Sequence, residues 1–223
     1  MQSQMGFNTA SQSSAIEINK VLRNTYMLLG MTLAFSAVTA GISMAMGLSH
    51  IAALVMTLAA FGLLFVVHKQ ADKASGIYWI FAFTGLMGAS LGPMLSMYAS
   101  MPGGGALIMQ ALGGTALIFF GLSAYALTSK KDFSFMGGFL MVGLLVAVVA
   151  IIANIFLAIP ALSLAISAGI ILIMSGLILF DTSRIIHGGE TNYIRATVSL
   201  YLNIYNIFVH LLHLLAVLSG NDD

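Results

Sequence analysis

The sequence predicts an all-α membrane protein with seven transmembrane helices. Three observations carry this. Hydrophobic residues make up 60% of the 223 residues and charged residues 7%, and the mean hydropathy is +1.02. A soluble domain carries about 25% charged residues, so this chain could not cover its own surface in water. Three uncharged runs, between Lys73 and Lys130, Asp132 and Asp181, and Arg195 and Asp222, each exceed the roughly 20 apolar residues that cross a bilayer as helix.

Taken in order, residues 1–24 read as a flexible tail rich in Ser, Gln, Asn and Thr. The apolar run after it exceeds the usual ~7–15 residue core of a cleaved signal, so it reads as the first span. Hydropathy and turn signals then place spans at residues 25–46, 51–67, 77–97, 106–127, 135–157, 161–180 and 196–218. Residues 219–223 form a short tail. The breaks are residues 47–50, the turn from Lys69 to Lys73, Pro102 with three glycines, residues 130–132, Pro160, and the polar joint from Phe180 to Arg195.

The basic residues sit in the tail (Lys20, Arg23), the second loop (Lys69, Lys73), the fourth (Lys130, Lys131) and the sixth (Arg184, Arg195). Lys and Arg collect in cytoplasmic loops, so the expected orientation is N-terminus cytoplasmic and C-terminus periplasmic. Small residues suggest where helices meet. Gly30, Ala34, Ala37 and Gly41 form one stripe, Gly88 and Gly92 a second, and Gly169 and Gly176 a third. Pro93 is expected to kink its helix. The 15 methionines read as flexible packing.

No cysteine is present, which excludes disulfides, thiolate nucleophiles and zinc–thiolate sites. The scattered basic residues give no nucleic-acid footprint. Enzyme constellations are missing too: the spans offer at most one carboxylate, and neither a Gly-x-Ser-x-Gly elbow nor a His-Glu-x-x-His pair occurs. No cofactor is expected. Asn154 is expected to make one interhelical hydrogen bond.

The last span is the most informative. Ser199, Asn203, Asn206, His210 and His213 follow a +4, +3, +4, +3 spacing, which puts them within a sector of roughly 80° on one helix face. Polar groups in a bilayer need partners or water. Two readings are open: separate interhelical hydrogen bonds, or the lining of a hydrated pathway. His210 and His213 share a face but two ligands do not make a metal site. Asp181 also has two readings. It is either an interfacial carboxylate paired with Arg184, or a titratable gate with His68 or Lys69 as an alternative cationic partner. Gly188 or Gly189 is expected to end the sixth helix, and Thr191 or Asn192 to cap the seventh.

Several stretches together resemble the Bax inhibitor-1 (transmembrane Bax-inhibitor-motif) family, and most closely its bacterial YccA branch. They are Thr84-Gly85 through Leu91-Gly92-Pro93, residues 111–116, residues 128–135, and Phe180-Asp181-Thr182 with His187 through Leu202. The resemblance implies a bacterial inner-membrane protein with six helices surrounding a central seventh. It also implies a pH-sensitive calcium leak where members carry an aspartate pair. Asp181 matches the first aspartate, but the second position holds Asn203. Asparagine cannot ionise, so two coupled titrations collapse to one, and a pathway with one fewer charge holds Ca²⁺ less well. For the YccA branch the resemblance implies instead a partner, the membrane-anchored ATP-dependent protease FtsH, which such proteins restrain and which degrades them. The tail from Met1 to Asn19 would be the handle it engages.

Overall fold

In the computed structural model, residues 2–220 are described, with side chains from residue 16 onward. Met1 and the last three residues of the expected C-terminal tail lie outside them. The described residues form eight α-helices and no strand. These are α1 (Gln2–Ala45), α2 (His50–Gln70), α3 (Gly76–Ser90), α4 (Gly92–Ala99), α5 (Gly104–Ser129), α6 (Gly137–Leu157), α7 (Pro160–Ile186) and α8 (Tyr193–Ser219). A 3₁₀ turn, Ser134–Met136, leads into α6. With α3 and α4 taken as one broken span, seven segments are long and apolar enough to cross a membrane. Residues 2–24, expected as a flexible tail, carry helix continuous with the first span. The stretch from Ile16 to Asn24 contains no glycine or proline to stop it.

The break between α3 and α4 follows from Pro93. Proline has no N–H, and its ring crowds the carbonyl four residues back. That carbonyl, Ala89 O, accepts instead from Ser43 Oγ of α1 at 2.6 Å. The helix restarts at Gly92 with Pro93 in its first turn, where proline is tolerated. At the other joints, Ser49 Oγ caps α2 by accepting from Ala52 N–H at 3.2 Å, and Pro160 opens α7.

α8 packs against α7, α5 and α1, with smaller contacts to α3 and α2. Tyr201, Leu200, Ile207 and Leu212 of α8 are buried with Phe83, Ile80, Leu29 and Ile178. The Phe83 and Tyr201 rings meet edge to face, 5.8 Å apart, an arrangement the ring quadrupoles favour. α6 packs on α7 and the 3₁₀ turn, and Leu140 is its one buried residue. Its outward side chains, such as Phe139 and Phe156, suit a bilayer, whose tails are as apolar as they are.

The glycine stripes divide into two kinds. A Cβ at Gly88 would collide with the Ser36 carbonyl, and one at Gly92 with Ser43, so α3 and α4 lie hard against α1. Gly176 likewise admits α6, a Cβ there falling 2.6 Å from Leu140. The α1 stripe behaves differently from expectation. Nothing lies within 4 Å of a Cβ at Gly30 or Gly41, and these residues with Ala37 line a crevice of about 480 Å³. Gly169 is also open, beside a second cavity between α6 and α7.

Candidate functional site

α7 runs five residues past Asp181 to Ile186, so Asp181 lies within the helix and not at its end, as hydropathy had placed it. The sixth span was cut short because the first charged side chain was taken as its boundary. From this position Asp181 Oδ2 accepts a hydrogen bond from Asn203 Nδ2 of α8 at 2.8 Å. Asn203 is buried and Asp181 partly so. The two positions that the resemblance singled out are therefore in direct contact. The amide supplies a donor without a charge, as a buried carboxylate oxygen needs.

Of the other expected partners of Asp181, Arg184 and His68 bond elsewhere. Arg184 Nη2 donates to Gly189 O at 3.1 Å and sits 3.7 Å from Glu190 Oε2. Its guanidinium also lies 5.6 Å from the centre of the Phe180 ring. At i+3 it closes the turn that follows α7. His68 is exposed, with Nδ1 at 2.9 Å from Leu64 O of its own helix, and Lys69 is exposed beside it. Among the described contacts neither reaches Asp181.

The α8 stripe is resolved into separate contacts, largely with α7. His213 Nδ1 and His210 Nδ1 lie 3.1 and 3.2 Å from the same hydroxyl, Ser167 Oγ, which is buried. That hydroxyl has one proton. It can donate to one imidazole only, so the other must donate to it. Asn206 Nδ2 turns back to Leu202 O at 2.8 Å, and Ser199 is partly buried. No residue of this stripe lines either cavity. Asn154 departs from expectation too: its Oδ1 accepts from Ile159 N–H at 3.1 Å, closing its own helix end.

Other polar contacts were not read from the sequence. Tyr201 OH lies 2.7 Å from Ser36 Oγ and donates to Thr84 O at 3.3 Å, tying α8 to α1 and α3. Tyr205 OH lies 3.3 Å from Ser90 Oγ. The available signal was the i, i+4 spacing of two tyrosines within a span, since buried phenols seek partners.

The joint between α7 and α8 is built from its caps. Gly188 takes φ +73°, a left-handed conformation that costs glycine little. Asn192 Oδ1 accepts from Ile194 N–H and Arg195 N–H, at 2.9 and 3.1 Å. Its Nδ2 donates to Ala71 O and Asp72 Oδ1, at 2.9 and 2.8 Å, and Arg195 Nη2 pairs with Asp72 Oδ2 at 2.6 Å. One asparagine thus caps α8 and fastens it to the α2–α3 turn. Outside the spans, Asp132 Oδ1 accepts from Ser134 N–H at 2.8 Å. Hydrogen bonds from Ser134 hold this carboxyl below its ordinary range.

A bundle of seven span-length apolar helices is the architecture of a polytopic membrane protein. The family profile described as "Inhibitor of apoptosis-promoting Bax1" matches residues 18–220. The chain belongs to this Bax inhibitor family. It is 55% identical over 223 residues to an "Uncharacterized membrane protein" of Vibrio cholerae, covering 100% of both chains. It is 56% identical over 208 residues to the "Modulator of FtsH protease YccA" of Escherichia coli K12, covering 93% of this chain and 94% of that one. An "Inner membrane protein YccA" from a second Escherichia coli strain matches at the same identity and coverage. The chain is a multi-pass inner-membrane protein.

Proposed function

We propose that this protein is a non-enzymatic regulator, and a substrate, of the membrane-anchored ATP-dependent protease FtsH in membrane-protein quality control. The observation that carries the reading is the 56% identity, along nearly the whole of both chains, with a protein named as a modulator of that protease. The chemistry of the bundle is consistent with it. Several of its buried polar groups bond helix to helix, among them Ser36 with Tyr201, Asp181 with Asn203 and Ser167 with His213. In this reading residues 1–24 and the basic loops face the cytoplasm, the C-terminus is periplasmic, and α8 is the central helix of the bundle. The segment from Met1 to Asn19 is what the protease engages.

The test is deletion of Met1–Asn19. The expected result is a chain that FtsH no longer degrades and that no longer slows FtsH against a second membrane substrate. If turnover and restraint are both unchanged, engagement through the tail is wrong.

A pH-sensitive calcium leak is the second reading, favoured by the contact between Asp181 and Asn203. Under it, Asn203→Asp raises Ca²⁺ flux in liposomes. No flux from either form, from mildly acidic to mildly basic pH, removes it.

A further inference from the structure

We propose that the crevice between α1 and α5 binds a single anionic phospholipid, with one acyl chain along the crevice and the headgroup phosphate on Arg23. One wall is the small-residue face of α1, Gly30, Ala37 and Gly41. The other is α5, with Leu112 and Phe120, and the floor is α8, with Tyr201 and Phe208. The crevice is open sideways because nothing from α5 fills the space over Gly30 and Gly41. Inside a bilayer that opening faces lipid tails, not water.

Size selects the occupant. The lining runs from Tyr26 to Gly41 along α1, fifteen helical rises or about 22 Å. That is longer than one leaflet, half of a hydrocarbon core of about 30 Å. A volume of about 480 Å³ spread over that length leaves a mean cross-section of about 20 Å². One extended hydrocarbon chain fits a slot of this length and width. Polarity selects in the same direction, because the lining is almost wholly apolar. Its main polar pair, Ser36 Oγ and Tyr201 OH, is already satisfied at 2.7 Å.

Charge selects the headgroup. Arg23 lies seven residues before Gly30 and fourteen before Ala37, which puts it within about 40° of both on the α1 wheel. It is exposed, and it makes no ion pair among the described residues. The far end of the crevice, near Gly41 and Leu95, adjoins loops without a charged residue. Arg23, the cation on α1 in line with the crevice, therefore marks where a phosphate belongs. Charge-assisted contacts of this kind are the strong ones.

The test uses full-length protein in phosphatidylcholine vesicles with a single tryptophan as reporter. Trp79, the one native tryptophan, becomes Phe, and Phe120→Trp places the reporter at the lip. Brominated phosphatidylglycerol or brominated phosphatidylcholine is then titrated in as quencher. The expected result is about fivefold tighter apparent binding of the glycerol lipid, the factor matching the ~1 kcal/mol that a basic side chain gains beside an anionic headgroup. Arg23→Gln and, separately, the crevice-filling Ala37→Phe both remove the preference. A reporter from Val142→Trp on α6, 60% exposed, shows none. Equal quenching by both lipids at Phe120→Trp, or an equal preference at Val142→Trp, overturns the site. A preference that survives both Arg23→Gln and Ala37→Phe does so too. Absence of quenching together with cross-linking of two chains at the lip shows a protein occupant instead, and also overturns it.

Discussion

Asn203 Nδ2 donates to Asp181 Oδ2 at 2.8 Å, and this bond joins α7 to α8 at the two positions where the family resemblance expects a pair of aspartates. Replacing Asn203 by Ala leaves a carboxylate oxygen without its donor. An orphaned polar group costs about 1–3 kcal/mol, and the low end applies because Asp181 is partly exposed. Thermal unfolding in detergent is expected to shift down by a few degrees. Asn203→Asp behaves differently. Two carboxylates at this distance are compatible when they share one proton and repel when both are ionised. Its melting temperature should fall as pH rises from acidic to basic, more steeply than that of the unaltered protein. Parallel curves for the two would show that the contact does not form.

Gly88 has room for hydrogen only, because a Cβ would run into the Ser36 carbonyl of α1. Backbone cannot yield as a side-chain tip can, so Gly88→Ala should cost about 1–3 kcal/mol as overpacking. Gly121 is the control. It lies on α5 with nothing within 4 Å of a Cβ, and Ala is the better helix former. Gly121→Ala should leave the melting temperature unchanged or raise it slightly. Equal losses in both would mean that α1 and α3 are farther apart than described.

The spans and the polar face of α8 were legible in the sequence because both are properties of one segment. Hydropathy needs no partner, and a +4, +3, +4, +3 spacing defines a face whatever lies opposite. What lies opposite was not legible. The Gly30–Gly41 stripe and the Gly88–Gly92 pair look alike as sequence, yet one is filled by backbone and the other is left open. The close approach of α1 to α3 and α4, and the stand-off of α5 from α1, decide between them. Arg184 misled for a related reason. Helical spacing brings it near Asp181, but the Gly188 turn offers Gly189 O and Glu190, which the helix pattern does not show.

Tyr201 links three helices through one hydroxyl, at 2.7 Å from Ser36 Oγ and 3.3 Å from Thr84 O. Tyr201→Phe keeps the ring against Phe83 and removes only the oxygen. Interhelical hydrogen bonds in membranes are worth about 0.6 kcal/mol on average, so the loss should be small. Tyr201→Ala also removes the ring, and truncating a buried aromatic costs about 3–5 kcal/mol. A Phe variant as unstable as the Ala variant, measured by unfolding in mixed micelles, would contradict the assignment of the ring as the main contributor.

Asp132 caps the turn before α6 by accepting from Ser134 N–H at 2.8 Å. Its folded-state pKa is held below the ordinary value of 3.8 by Ser134. A depressed carboxyl contributes its share of stability above the unfolded pKa, and loses it as pH falls through the folded value. The Ser134 amide resonance should therefore hold its position through neutral and mildly acidic pH. It should move only below 3.8. Asp132→Asn should abolish that titration. An inflection above the ordinary aspartate value would show that the cap does not hold.

Asn192 and Asp72 differ in how much each holds the α7–α8 joint, although they touch. Asp72 is 68% exposed and Arg195 40% exposed, and ion pairs in such surroundings contribute about 0–1 kcal/mol. Asp72→Ala should accordingly shift stability little, and less still at high salt. The Asn192 side chain makes four hydrogen bonds at once, two to the first turn of α8 and two to the α2–α3 turn. Loss of a cap side chain alone costs about 0.5–2 kcal/mol. Removing it also frees Ala71 O, whose residue is buried. Asn192→Ala should therefore destabilise the protein more than Asp72→Ala, with no relief from salt. Amide exchange in residues 193–196 should rise in the Asn192 variant and stay unchanged in the Asp72 variant. The reverse order would place the joint's stability in the ion pair and not in the cap.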